Sequence, residues 1–212
     1  MIIKQLTVGP IQVNNYVVID EESKDAIIID NGGETDLVLE VLKEHGATLK
    51  YILNTHGHFD HIYGEKDLKE TTGAKVLIHK DDEYLVQNIK KDCALFGMTA
   101  VEPVEIDEFI EDGQEIVLSG LTFKVIHTPG HTPGGVCYLI DNILFAGDTL
   151  FKNSIGRTDL PKGDFATLSN SIKSKLFTLD ENITVYCGHG APTTIGYEKL
   201  NNPYIGARVA AF

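Results

Sequence analysis

Residues 54–61 read Asn-Thr-His-Gly-His-Phe-Asp-His, and no other stretch constrains the chain as much. Four metal-capable side chains, His56, His58, Asp60 and His61, fall within six positions. They follow Tyr51-Ile52-Leu53, a short apolar run that reads as the end of a buried strand. Imidazole and carboxylate suit zinc, iron and manganese. So short a loop cannot comfortably wrap all four around one compact ion. In an extended segment positions i and i+2 point the same way, so His56 and His58 can share one ion. Asp60 and His61 lie past the turn and can serve a second. A lone histidine is usually a surface or satisfied core residue, but three within six positions, with an aspartate between them, are not explained by packing. The spacing points to two metals.

The whole chain narrows the setting. Its 212 residues fit one large domain or two small ones, and no linker or low-complexity tract divides them, so a single domain over 1–212 is expected. A net charge of −13 argues against nucleic acid or anionic membranes as partners, and an anionic substrate would need a local basic patch. No apolar run approaches the roughly 20 residues of a membrane span. The opening Met1-Ile2-Ile3-Lys4-Gln5-Leu6 alternates like a strand rather than like a signal peptide. Cys93, Cys137 and Cys187 are odd in number and widely spaced, which speaks against a disulfide framework and for a reducing cytoplasm. They read as small buried hydrophobes, Cys187 least clearly because it lies two residues from His189.

Strands are expected at 2–8, 13–20, 26–30, 49–53 and 75–79, with helices at 35–45, 63–72 and 81–89. The second half repeats the theme, with strands near 115–118, 121–127, 135–140, 143–147 and 182–187 and a helix at 165–176. Two sheets packed together with helices outside would account for this order. Each later strand ends in a further candidate ligand: His131 in a Pro/Gly-rich loop after 121–127, Asp148 after 143–147, and His189 between two glycines after 182–187. Four strand ends that each present His or Asp make a shared cluster the better account. His127 reads as a strand-end or supporting residue, and His79 as a strand-end surface residue. The loop 151–160 follows Asp148 and should hang over the site. Within it Arg157 is the natural anion anchor, unless it is paired with Asp159 or Asp164. Phe151, Phe96 and Met98 could wall the site or serve the core equally well.

With these residues in hand, THGHFDH followed by His131, Asp148 and His189 resembles the metallo-β-lactamase fold superfamily over nearly the whole chain. GDTLFKNSIGRTDLP at 147–161 and GHGAPTTIGYEKLNNPY at 188–204 resemble the short glyoxalase II-like hydrolases. The resemblance implies an αββα sandwich of two mirrored halves. It implies two divalent ions, zinc first with iron or manganese as alternatives. His56, His58 and His131 would hold one, Asp60, His61 and His189 the other, with Asp148 bridging. The implied reaction is hydrolysis of a small-molecule thioester, such as an S-lactoyl thiol, to a hydroxy acid and a thiol. Asp60 and Asp148 would be catalytic, and Arg157 and Phe151 would face the substrate. Longer glyoxalase II enzymes carry a further C-terminal helical region rich in glutathione contacts, whereas this sequence stops at Phe212, so the thiol stays open.

Two other activities share the scaffold. Persulfide dioxygenases carry a similar GRTD segment and hold one iron by two histidines and an aspartate, here His56, His131 and Asp148. Their last histidine normally sits in an AHDY-like setting, and Gly188-His189-Gly190 favours the hydrolase. Lactam hydrolysis is the third reading. The GRTD loop counts against it.

Overall fold

Strand β2 (Val13–Ile19) is buried along its whole length because both of its faces are covered. Val17 and Ile19 point to one hydrophobic cluster, while Tyr16 and Val18 point to another. The same alternation divides Ala26 and Ile28 from Ile27 and Ile29 in β3 (Asp25–Ile29). In this computed structural model, which describes residues 1–208, that division defines the architecture. The last four positions of the expected 1–212 domain lie outside the described residues.

The first sheet has the order β1-β2-β3-β4-β5-β6, adding β1 (Ile2–Val8), β4 (Thr48–Leu53), β5 (Lys75–His79) and β6 (Glu108–Ile110). It is antiparallel across β1–β3 and parallel from β3 to β6. The second sheet runs β14-β13-β10-β9-β8-β7, from β7 (Glu115–Leu118), β8 (Leu121–His127), β9 (Val136–Ile140), β10 (Ile143–Gly147), β13 (Thr184–Cys187) and β14 (Thr193–Thr194). A small hairpin, β11 (Leu150–Phe151) with β12 (Ser154–Ile155), follows β10. The central cluster joins Tyr16, Ile27, Leu53 and Leu77 of one sheet to Phe123, Val125, Tyr138 and Phe145 of the other. Outside the first sheet pack α1 (Thr35–His45), α2 (Phe59–Ile62), α3 (Glu65–Thr72) and α4 (Glu83–Leu95). Outside the second pack α5 (Phe165–Ser171) and α6 (Ile195–Asn201). The result is the expected αββα sandwich. Among the described residues, no helix is long and apolar enough to cross a membrane.

Several expected boundaries move, each for a local reason. The helix expected at 63–72 begins at Glu65, as α3, after Gly64, where an added Cβ would meet the Gly33 Cα at 2.8 Å, and the short α2 precedes it. The helix expected at 81–89 opens with a 3₁₀ turn, Lys80–Asp82, and runs on to Leu95 because Leu85, Val86, Ile89 and Cys93 continue its apolar stripe. The helix expected at 165–176 is capped by the Asp164 side chain on Thr167 N–H, and from Ile172 it widens into a π turn. Strands expected at 13–20 and 26–30 stop one residue sooner. At the second, Asp30 adopts φ 57° and leaves the sheet. The strand expected from 182 begins at Thr184. The short β6, β14 and α6 carry too little periodicity to be read from sequence.

Candidate metal centre

Parallel pairing brings the ligand-bearing strand ends together. Ile29 of β3 lies opposite Leu53 of β4, and Gly147 of β10 opposite Cys187 of β13. Asp30 and the histidine loop therefore emerge side by side, as do Asp148 and Gly188. The two sheets meet here through Asn14 N–H donating to the Gly188 carbonyl at 2.7 Å.

Hydrogen bonds then aim the rings. The Asp30 carboxylate accepts from Thr55 N–H, the Thr55 hydroxyl and His61 Nδ1–H, each at 2.8 Å. Because the Thr55 hydroxyl gives its proton to Asp30, it accepts from His56 Nδ1–H at 3.1 Å. His131 Nδ1–H donates to the Arg157 carbonyl at 2.7 Å, and His189 Nδ1–H to the Gln12 carbonyl at 3.2 Å. Each partner fixes a tautomer and leaves Nε2 free to face the cluster.

All seven expected ligands converge. Their donor atoms form three overlapping groups, each within 4.8 Å: His56, His58 and His131; His56, His61 and Asp148; Asp60, His61 and His189. His58 Nδ1 lies 2.9 Å from His131 Nε2. Asp148 Oδ2 is 3.6 Å from His131 Nε2, while Oδ1 is 3.3 Å from His61 Nε2 and 3.7 Å from His189 Nε2. Asp60 Oδ2 is 3.3 Å from His189 Nε2. One carboxylate thus faces His131 on one side and His61 and His189 on the other. His56 Nε2, His61 Nε2 and Asp148 Oδ1 are buried without a hydrogen-bond partner, which a bound cation would satisfy. The donor set fits two divalent ions.

One residue that the sequence did not single out, Asp82, and one glycine that it did, Gly188, hold this frame. Asp82, fully buried, accepts from Gly57 N–H at 3.0 Å, the Thr132 hydroxyl at 2.7 Å and Gly134 N–H at 2.7 Å. It ties the histidine loop to the loop that carries His131. Gly188 gives the necessary room, since a Cβ there would sit 2.3 Å from Asp148 Oδ1.

Charge is divided across the site. Burial, then His61 and His58, hold His56 well below the usual imidazole range. Burial and His131 lower His58 to about 3. Burial also opposes charge on His61, but Asp148, Asp30 and Asp60 outweigh it and raise His61 well above its usual value. His189 is raised in the same way, burial being outweighed by Asp60 and Asp148. Burial resists ionisation of Asp148, yet His61 holds it below the usual carboxylate range. At neutral pH, then, His56 and His58 are neutral and ready to ligate, while His61, and in the same direction His189, hold protons more tightly, so a metal there competes with them. Loading the His61/His189 group is expected to release protons and to weaken as pH falls. Loading the His56/His58 group should do so much less. Calorimetric zinc titrations in buffers of different ionisation enthalpy check this.

The remaining expected residues fall as follows. Arg157 pairs with Asp159 through Nε and Nη2, at 2.8 and 2.7 Å, on an exposed surface where such a pair contributes little. Its carbonyl, not its side chain, contacts His131. The Phe151 ring lies 6.2 Å from that of His189. The Phe96 ring lies 4.7 Å from that of Phe59, next to Asp60 in sequence, and is tilted 32° to it. All three cysteines are buried and free, and burial raises the thiols of Cys137 to about 11 and Cys187 to about 12, so neither is a nucleophile. His79 and His127, each read as a strand-end residue, stack on each other at 4.2 Å, outside the seven-residue cluster.

The model of the metallo-beta-lactamase superfamily matches residues 8–189. The chain belongs to that superfamily. It is similar to the hydroxyacylglutathione hydrolase GloC of Haemophilus influenzae, at 36% identity over 98% of this chain and 100% of that protein. Among solved structures it resembles the BLEG-1 B3 metallo-beta-lactamase, with a TM-score of 0.87 and 38% identity over 96% of this chain and 99% of that one. It resembles TTHA1623 in a di-iron-bound form, with a TM-score of 0.86 and 34% identity over 95% and 99%. ETHE1 from Myxococcus xanthus follows with a TM-score of 0.80 and 31% identity over 97% and 84%. The αββα fold and metallo-hydrolase scaffold are thereby shared, and among these neighbours TTHA1623 is described with two irons.

Proposed function

We propose that this protein is a zinc-dependent hydrolase of a small cytoplasmic thioester, of the hydroxyacyl-glutathione type. The observation that carries the reading is the placement of Asp148, whose two oxygens face two separate groups of histidines. His56, His58 and His131 would hold one divalent ion, Asp60, His61 and His189 the other, and Asp148 would bridge. A metal pair supplies hydroxide at neutral pH, by lowering the pKa of water from about 15.7 to near 7, and an electrophile for an acyl carbonyl.

The chain's own residues complete the chemistry. Asp60, held ionised because His61 and His189 outweigh its burial, can accept a proton at Oδ2 beside His189. A thiolate leaving group needs little acid help, since a thiol pKa is about 8.5. Phe151 offers an apolar face next to His189. Arg157, exposed and held by a single carboxylate, can exchange Asp159 for a substrate carboxylate. The similarity to GloC, named a hydroxyacylglutathione hydrolase, supports the thioester.

The likeness to ETHE1 favours persulfide dioxygenase as the second reading, with iron on His56, His131 and Asp148. That set would leave His58, Asp60, His61 and His189 converged without use. Thiol release from S-lactoylglutathione by zinc-loaded protein is the test. Oxygen uptake with glutathione persulfide by iron-loaded protein, or hydrolysis of nitrocefin, together with no thioester turnover, would overturn the proposal.

A further inference from the structure

We propose that His79, Asp81 and His127 form a separate, third site for a divalent transition ion, spanning the two sheets beside the catalytic cluster. His79 ends β5 of the first sheet and His127 ends β8 of the second. Asp81 follows in the 3₁₀ turn after β5. One donor atom from each of the three lies within 4.8 Å of the others. His79 Nδ1 and Asp81 Oδ2 are 3.9 Å apart, close enough to chelate one ion.

The tautomers suit ligation. His127 Nε2–H donates to the Pro133 carbonyl at 2.8 Å, which leaves the Nδ1 lone pair free. A ring N–H anchored on a backbone carbonyl is the usual support for a metal-binding histidine. His79 Nδ1 is likewise an acceptor, taken up only by a long contact of 3.3 Å from Asp81 N–H. Burial and the neighbouring His127 ring lower His79, so its imidazole is the neutral, ligating form at pH 7. The rings lie 4.2 Å apart and 10° from parallel, and rotation of the His79 ring about its soft χ2 torsion, at the cost only of the long Asp81 N–H contact, turns its lone pair toward an ion held by His127. Asp81 is well exposed, so the site is open to entering ions and leaves room for water. Two imidazoles and one carboxylate select zinc, nickel or copper over magnesium or calcium.

An ion here would pin the end of β5 to the end of β8. It would also steady Pro133, which adjoins the Thr132 and Gly134 contacts to Asp82. The site does not depend on the proposed thioester activity. The test is elemental analysis of zinc per chain after equilibration at micromolar free zinc. Wild type is expected to bind one ion more than the double variant His79→Ala/Asp81→Ala, with thioester turnover unchanged between them. A difference between proteins is read, so occupancy of the catalytic cluster does not affect it. If the double variant fails to fold, His127→Gln, which keeps an amide donor for Pro133, must also bind one ion fewer. Zinc should raise the Tm of wild type by about 5 °C more than that of the variant at saturating metal. Equal zinc content in wild type and variant overturns the proposal.

Discussion

Asp148→Asn is expected to lower kcat/KM for thioester hydrolysis by at least about 10³-fold, or ~4 kcal/mol of transition-state stabilisation. The substitution is close to isosteric and keeps one oxygen, so the fold should survive. What it removes is the negative charge that lies 3.3 Å from His61, 3.6 Å from His131 and 3.7 Å from His189. Without that charge His61 loses the strongest influence raising it, and the two histidine groups lose their common carboxylate. Steady-state kinetics on protein of measured metal content check the result, and unchanged far-ultraviolet circular dichroism separates lost chemistry from lost fold. Activity within about tenfold of wild type would mean that Asp148 bridges nothing.

Asp82→Ala is expected to cost ~3–5 kcal/mol of stability, because it orphans Gly57 N–H, Gly134 N–H and the Thr132 hydroxyl together. For a chain of this size that is a fall in Tm of roughly 10 °C. Burial pushes the Asp82 carboxyl above its usual value, and its three donors offset only part of that rise. The tug explains why Asp82→Asn, which retains one accepting oxygen, should lose less than half as much. The damage should reach the metal centre, since Asp82 joins the loop of His56 and His58 to that of His131. Zinc affinity of the alanine variant is expected to drop about 10–100-fold, the range for groups that orient metal ligands. Denaturant melts with and without chelator, and competition titrations for zinc, measure the two effects.

How much of this was legible in the sequence follows from how local each feature is. The histidine loop was readable because its four ligands are contiguous and follow one apolar strand. His131, Asp148 and His189 were readable because each follows a strand and sits among glycines or prolines. The αββα layers were readable from two successive sets of strands and helices, although α2, β6, β14 and α6 were too short to register. Asp30 read only as the last residue of the strand expected at 26–30, since its role arises from the parallel register that sets Ile29 beside Leu53. Asp82 carried no signal at all, because its partners Thr132 and Gly134 belong to the other half of the chain. For the same reason the stacking of His79 on His127 was hidden: each lies on a different sheet. Arg157 had two readings, and its pairing with Asp159 became visible only once the loop conformation was known.

The central claim is that seven side chains act as one two-metal site. Its most direct test is thioester turnover followed while metal-free protein is titrated with zinc, at substoichiometric to excess ratios. Activity is expected to rise until two equivalents per chain are bound and then to level off, whether or not further zinc binds elsewhere. Full activity at a single equivalent, with no gain from the second, would contradict it.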